Sequence, residues 1–143
     1  MTTAHALLQP LVALLIWSLL MWFWMYITRL PAMQKMQLKL DPNVPPRDLM
    51  SVFPATVRWK ADNYNHLLEA PTLFYAAVLA MALVDPGNSI ALGAAWAYVL
   101  LRVAHSLVQS LINHIPTRFG LFVLSTLALT VIVWQLAVRV FAG

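Results

Sequence analysis

The sequence predicts an all-α membrane protein, a bundle of four transmembrane helices. Three observations predict it. Of the 143 residues, 62% are hydrophobic and 10% are charged, against about 45–50% and 25% in soluble domains. Four apolar stretches follow one another along the chain, each near the roughly 20 residues that a helix needs to cross a bilayer. Lysine and arginine gather in the first connection, the asymmetry that separates the two sides of a membrane. This composition excludes a soluble globular enzyme and a disordered chain. There is no cysteine, which excludes disulfides, thiolate metal sites and a protein-borne sulfur nucleophile. The length suits a single domain over residues 1–143.

The first span is expected over Leu7–Ile27, a run without charge. It lacks the basic flank and small-residue cleavage site of a signal peptide and is expected to be retained. Trp22, Trp24 and Tyr26 near its end match an interfacial aromatic belt. Arg29–Phe53 is polar and carries Arg29, Lys35, Lys39, Arg47, Asp41 and Asp48. Pro42, Pro45 and Pro46 forbid a continuous helix there, leaving a loop with room for a short helix around Ala32–Leu40. The second span, 55–84, is polar in its first half and apolar from Thr72 to Val84. Pro71 between the halves should kink it. Asp85-Pro86-Gly87-Asn88 reads as a tight turn. The third span, 89–112, is closed by Asn113-His114-Ile115-Pro116. The fourth, 117–138, has Arg118 in its first turn and Arg139 at its far end.

Counting lysine and arginine orients the bundle. The first loop, the foot of the second helix and the third loop hold nearly all of them, so these face the cytoplasm. Both termini and the second loop then face the other side. Compact loops and the lack of targeting signals fit a bacterial inner membrane.

Polar side chains form stripes inside the apolar spans. Arg58, Asp62, Asn65 and Glu69 are spaced by four, three and four, which puts them on one face of the second helix. Arg102, His105 (or Ser106), Gln109 and Asn113 do the same on the third. A charge at membrane depth costs about 2.5–3.5 kcal/mol even on lenient scales, so such groups are paired or face a cavity. Glu69 and Arg102 each lie roughly 16 Å in from the same side, at 1.5 Å per residue, and an ion pair between them is expected, within or between protomers. His5, His66 and His114 read as surface or interfacial residues, too scattered for a metal site, and no metal is expected. The four glycines do not cluster into a phosphate loop. The basic loop lacks the aromatic interleaving expected for nucleic acid.

Arg58, Asn65 and Pro71, then Arg102-Val103-Ala104-His105-Ser106, then Pro116 and Arg118, resemble the MAPEG family, the membrane-associated proteins of eicosanoid and glutathione metabolism. The resemblance covers most of the chain and is loosest in the first span and first loop. It implies a homotrimer of four-helix protomers, with glutathione as co-substrate between neighbours near the cytoplasmic side. It also implies a lipophilic electrophile that enters from the bilayer. Carried over by position, Arg118 is the catalytic residue that stabilises the thiolate. A guanidinium is permanently charged and favours a nearby anion. Arg58, Asn65, Glu69, Arg102 and His105 become glutathione-binding residues.

Four positions depart from the family's pattern. Leu68 stands where an acid is usual, with Glu69 one residue later. Ala61 replaces an arginine, and Gln109 and Phe122 replace aromatic hydroxyls. The expected function is a membrane-bound glutathione transferase or glutathione-dependent peroxidase. The alternative is a non-catalytic lipid- or protein-binding member of the same fold. A small exporter would need an acid reachable from both sides; Glu69 is the one candidate, and the apolar outer halves of the spans argue against it.

Overall fold

The computed structural model describes residues 3–37 and 43–142. Lys39, Asp41 and Pro42 of the first loop lie outside the described residues. The chain is all α. Helix α1 spans Thr3–Lys35, α2 Pro46–Ser51, α3 Ala55–Glu69, α4 Thr72–Val84, α5 Ser89–Leu111 and α6 Ile115–Phe141. Four stretches are long and apolar enough to cross a membrane: His5–Lys35, Ala55–Val84, Ser89–Leu111 and Ile115–Phe141. The protein is a multi-pass membrane protein.

The first helix differs from expectation. It does not stop near Ile27 but continues through Arg29 to Lys35, with Pro10 and Pro31 inside it. The polar residues after Ile27 break the hydrophobic run and not the helix, which runs on past Pro31 although that proline has no N–H for the Ile27 carbonyl. The loop therefore begins later than the composition implied, and Arg29 is carried on the end of a rigid helix.

The second span divides at Pro71. Proline has no N–H for the Leu67 carbonyl, and the helix breaks into α3 and α4 between Glu69 and Thr72. The Thr72 hydroxyl donates to the Glu69 carbonyl at 2.8 Å, which satisfies one acceptor at the break. Polar α3 and apolar α4 are thus separate segments of one span.

The core lies where α1, α4 and α5 meet. Leu14 and Met21 of α1, Phe74 and Val78 of α4, Ala95 and Val99 of α5, and Ile132 of α6 are buried together. The Phe74 and Tyr98 rings stack at 4.4 Å with 9° between their planes. Lipid tails are as apolar as these side chains, so close packing rather than exclusion from water holds such a core. Ala91 and Ala95, both fully buried, let α5 approach its neighbours closely.

The turn after α4 is tied at several points. The Asn88 side chain accepts from Ala91 N at 2.9 Å, capping α5. Its amide donates to Asp85 Oδ2 at 3.1 Å and to Gln135 Oε1 at 3.4 Å. Arg139 Nε reaches Asp85 Oδ2 at 2.8 Å, fastening the end of α6 to the turn. Asn88→Ala removes the cap and both amide bonds. Thermal unfolding in detergent is expected to show a loss of about 1–2 kcal/mol, and an unchanged midpoint would contradict the assignment.

At the opposite end α5 stops at Asn113, which takes a left-handed conformation (φ 55°), a common way to end a helix. Pro116 then starts α6, where a missing N–H costs nothing. This sharp reversal sets Arg118 close to the end of α5.

Candidate functional site

The two polar stripes point in different directions. On α5, Arg102, His105, Ser106 and Gln109 are all buried, as is Ser110. On α3 the buried residues are Lys60, Asn63 and Leu67, while Arg58, Asp62, Asn65 and Glu69 are exposed. The spacing on α3 marks one face, and that face is turned outward from the helix bundle. Asn63 fills the interior instead, with Lys60 laid against Trp24 at 5.2 Å from the ring centroid.

The expected Glu69–Arg102 pair does not form within the chain. Leu67 marks the inward direction of α3. At 100° per residue Glu69 lies about 160° round from it, nearly opposite, and His66 about 100° round on the same side, closer to the interior. His66 is therefore the residue that meets Arg102, with Nη1 at 3.3 Å from His66 Nε2. Among the described residues Arg139 and Asp85 make the sole ion pair.

Around Arg102 the structure builds a compact cluster. The residue is 1% exposed, and its guanidinium lies 5.6 Å from the Tyr98 ring centroid and 5.7 Å from that of Phe122. The His66 and His105 rings are 5.0 Å apart, and Phe122 is 5.7 Å from His66. Arg118 donates through Nη1 to the side-chain oxygen of Asn113. The residue that ends α5 thereby also holds the first arginine of α6. Several buried polar atoms have no hydrogen-bond partner among the described residues: Arg102 Nε and Nη2, Arg118 Nε, and the side chains of Asn63 and Ser106.

Two clefts open around α3. The first, of 460 Å³, lies between the end of α1, α2 and α3, and holds Arg29, Phe53, Arg58, Ala61, Asp62 and Asn65. The second, of 390 Å³, lies between α3, α5 and α6, and is lined by His66, His105, Ile115, Arg118, Phe119 and Phe122. The predicted site residues divide between them. Arg118 and His105 share the second cleft, with Arg102 buried against two of its walls. Arg58 and Asn65 stand in the first. Glu69 lines neither. Two imidazoles do not make a metal site, and no group of three metal-ligating side chains occurs among the described residues.

Sequence reasoning missed His66 and Arg29. His66 read as interfacial because it follows Asn65 on a helix segment that is polar on nearly every side. Spacing could not say which of its faces turns inward. Arg29 read as a loop charge, yet α1 carries it into the first cleft beside Met50, whose sulfur accepts from its guanidinium. Of the four departing positions, Leu68 is exposed, Gln109 is buried inside the bundle, and Ala61 and Phe122 line the first and second clefts respectively.

Neither the curated proteins nor the solved structures contain a match to the chain. The model of the MAPEG family matches residues 7–138. Nearly the whole chain is covered, including both clefts and the helices that build them, and this protein belongs to the MAPEG family.

Proposed function

We propose that this protein is a membrane-bound glutathione transferase or glutathione-dependent peroxidase acting on lipophilic electrophiles, with glutathione held between protomers of a homotrimer. The observation that carries the reading is the outward turn of Arg58, Asp62, Asn65 and Glu69 from a membrane-spanning helix. Charges facing hydrocarbon are expensive. A second copy laid against α3 would cover them and would bring a second set of cluster residues towards the first cleft.

The residues suit the tripeptide. Glutathione carries two carboxylates and one ammonium group. The first cleft offers Arg29 and Arg58 as cations, Asp62 as an anion and Asn65 as a neutral partner. Glu69 adds an acid on the same exposed face. When bound, glutathione supplies a nucleophilic or reducing thiol. Arg118 would hold the sulfur as its anion, because a guanidinium does not deprotonate and favours a negative neighbour. Arg102 and His105 would orient the peptide as it approaches the sulfur site. The cytoplasm-facing first and third loops, and a bacterial inner membrane, belong to the same proposal.

A second reading is a non-catalytic lipid- or protein-binding protein of the same fold. It is favoured by Phe122 and the buried Gln109, which leave the second cleft without an aromatic hydroxyl. Titrating glutathione into the detergent-purified protein separates the two. A thiolate band in the ultraviolet, growing to saturation, is expected for the enzyme. No binding at millimolar glutathione would leave the second reading standing.

A further inference from the structure

Asn63 of α3 and Ser106, Gln109 and Ser110 of α5 are each at most 3% exposed, and none of them lines either cleft. Both polar atoms of the Asn63 amide, both serine hydroxyls and Gln109 Oε1 make no hydrogen bond among the described residues. Other hydroxyls in the spans do find partners. Ser18, Thr28, Ser125, Thr126 and Thr130 each donate to a carbonyl one turn back on their own helix. That bond is open to any helical serine, yet Ser106 and Ser110 do not make it. Their hydroxyls are turned into the bundle, where a buried polar group needs a partner.

The register between α3 and α5 places these groups together. The two helices run antiparallel, because α4 continues the span of α3 and one turn joins it to α5. His66 bonds Arg102 and stands 5.0 Å from the His105 ring, so the three are nearly level. Three residues towards the α2 end, about 4.5 Å at 1.5 Å per residue, Asn63 comes level with Ser106. Three residues further, Lys60 comes level with Gln109 and Ser110. The unpartnered groups thus occupy successive levels of the interior between His105 and Lys60. Lys60 Nζ donates to the carbonyl of Thr56, an exposed residue, at 2.8 Å, which brings the series to the surface.

A ligand here has to be small, and it has to donate and accept. Asn63 and the serines offer both functions, and Gln109 Oε1 accepts. A cation meets Lys60 at one end and Arg102 at the other. An anion meets the amide oxygens of Asn63 and Gln109. Water suits every position, and buried water is held by about two to four such groups.

We infer that a file of water molecules runs through the bundle interior from the Lys60 end to His105, and that it carries away the proton released when a glutathione thiol becomes a thiolate. His105 lines the second cleft together with Arg118. The S–H bond breaks and its proton passes to one ring nitrogen of His105. The other ring nitrogen gives a proton to the first water, and one proton emerges beside Lys60. The sulfur keeps the electron pair as a thiolate opposite Arg118. Arg102 from the same helix, His66 from α3 and Arg118 from α6 act on His105, and none of them is an acid. The proton is therefore handed on rather than held. Asn63, Ser106, Gln109 and Ser110 are positioning residues that hold the water. The proton's origin rests on the glutathione reading above, and the water file does not.

The test mixes the full-length protein in nanodiscs rapidly with glutathione. Thiolate is followed by its ultraviolet absorbance and the released proton by an indicator dye. Asn63→Leu with Gln109→Met keeps the side-chain sizes and removes the polar atoms. The pair is expected to slow both signals together by at least about tenfold, a part of the roughly 10²–10⁴-fold that positioned proton transfer contributes. The final thiolate absorbance at saturating glutathione should not change, because a route alters the forward and reverse rates equally. Added imidazole, which can take the proton through the open second cleft, should restore part of the lost rate. Ser106→Ala deletes a single oxygen and carries the same expectation with a smaller factor, should the double variant not assemble. Unchanged rates in both variants would overturn the inference. So would a loss of final absorbance without a change in rate, which would make these residues structural. An experimental structure of the ligand-free protein tests the water directly. Ordered water within hydrogen-bond reach of Asn63, Ser106 and Gln109 is expected, and a dry interior would overturn the inference whatever glutathione does. Ordered water in a protein that binds no glutathione would remove the transferase reading and leave the water file in place.

Discussion

Arg118→Ala is expected to abolish the thiolate absorbance of bound glutathione and to lower turnover by about 10²–10³-fold, the usual cost of removing one donor aimed at developing negative charge. The helices should stay assembled, because Arg118 is only half-buried and its one bond is to Asn113. That bond fixes the guanidinium from the end of α5, and Nε is left without a partner. The side chain is held still and has donor capacity to spare, the condition for electrostatic stabilisation without reorganisation. Arg118→Lys keeps the charge and loses the planar fork, so it should restore part of the thiolate band. Turnover unaltered in Arg118→Ala would remove the role assigned to this residue and leave Arg118 as an anchor at the start of a helix.

Arg102→Met is expected to raise thermal stability by about 1–2 kcal/mol while removing ligand binding. Replacing a buried charge with an apolar side chain of similar length is often stabilising, because the desolvation penalty disappears with the charge. The penalty is large here. The residue is 1% exposed, forms no ion pair among the described residues, and is supported by an imidazole and two aromatic rings. His66 loses its partner in the variant, but it lines an open cleft where water can replace the lost bond. Stabilisation on its removal would give Arg102 a role outside folding. Destabilisation by a similar amount, read from unfolding in detergent, would instead make Arg102 part of the glue between helices.

Most of the architecture was legible because its cause is local. A helix that crosses a bilayer must satisfy its own backbone and show apolar side chains over its length, and both properties are written in consecutive residues. The four spans, the break at Pro71, the turn at Asp85–Asn88 and the stop at Asn113 all follow from such short-range rules, and the structure has each of them. The end of α1 was not legible in this way. Its polar last turns carry no signal that separates a helix leaving the membrane from a loop, and only its bonding through Lys35 shows which it is.

The site was legible in its residue types and not in its directions. Helical spacing groups Arg58, Asp62, Asn65 and Glu69 on one face of α3 and Arg102, His105 and Gln109 on one face of α5. It is silent on what each face meets. The tertiary structure turns the α5 face inward and the α3 face outward. Whichever face of α3 meets α1 and α5 becomes interior, and Leu67 with Asn63 packs there. That one rotation puts His66 rather than Glu69 against Arg102, splits the site residues between two clefts, and exposes a charged stripe on a membrane helix. The membrane class, the family and the chemical inventory could be read from consecutive residues, because these depend on composition and on spacing along one chain. Only the packing of α3 against its neighbours decided which of those side chains share a space, because that depends on the phase between helices far apart in sequence.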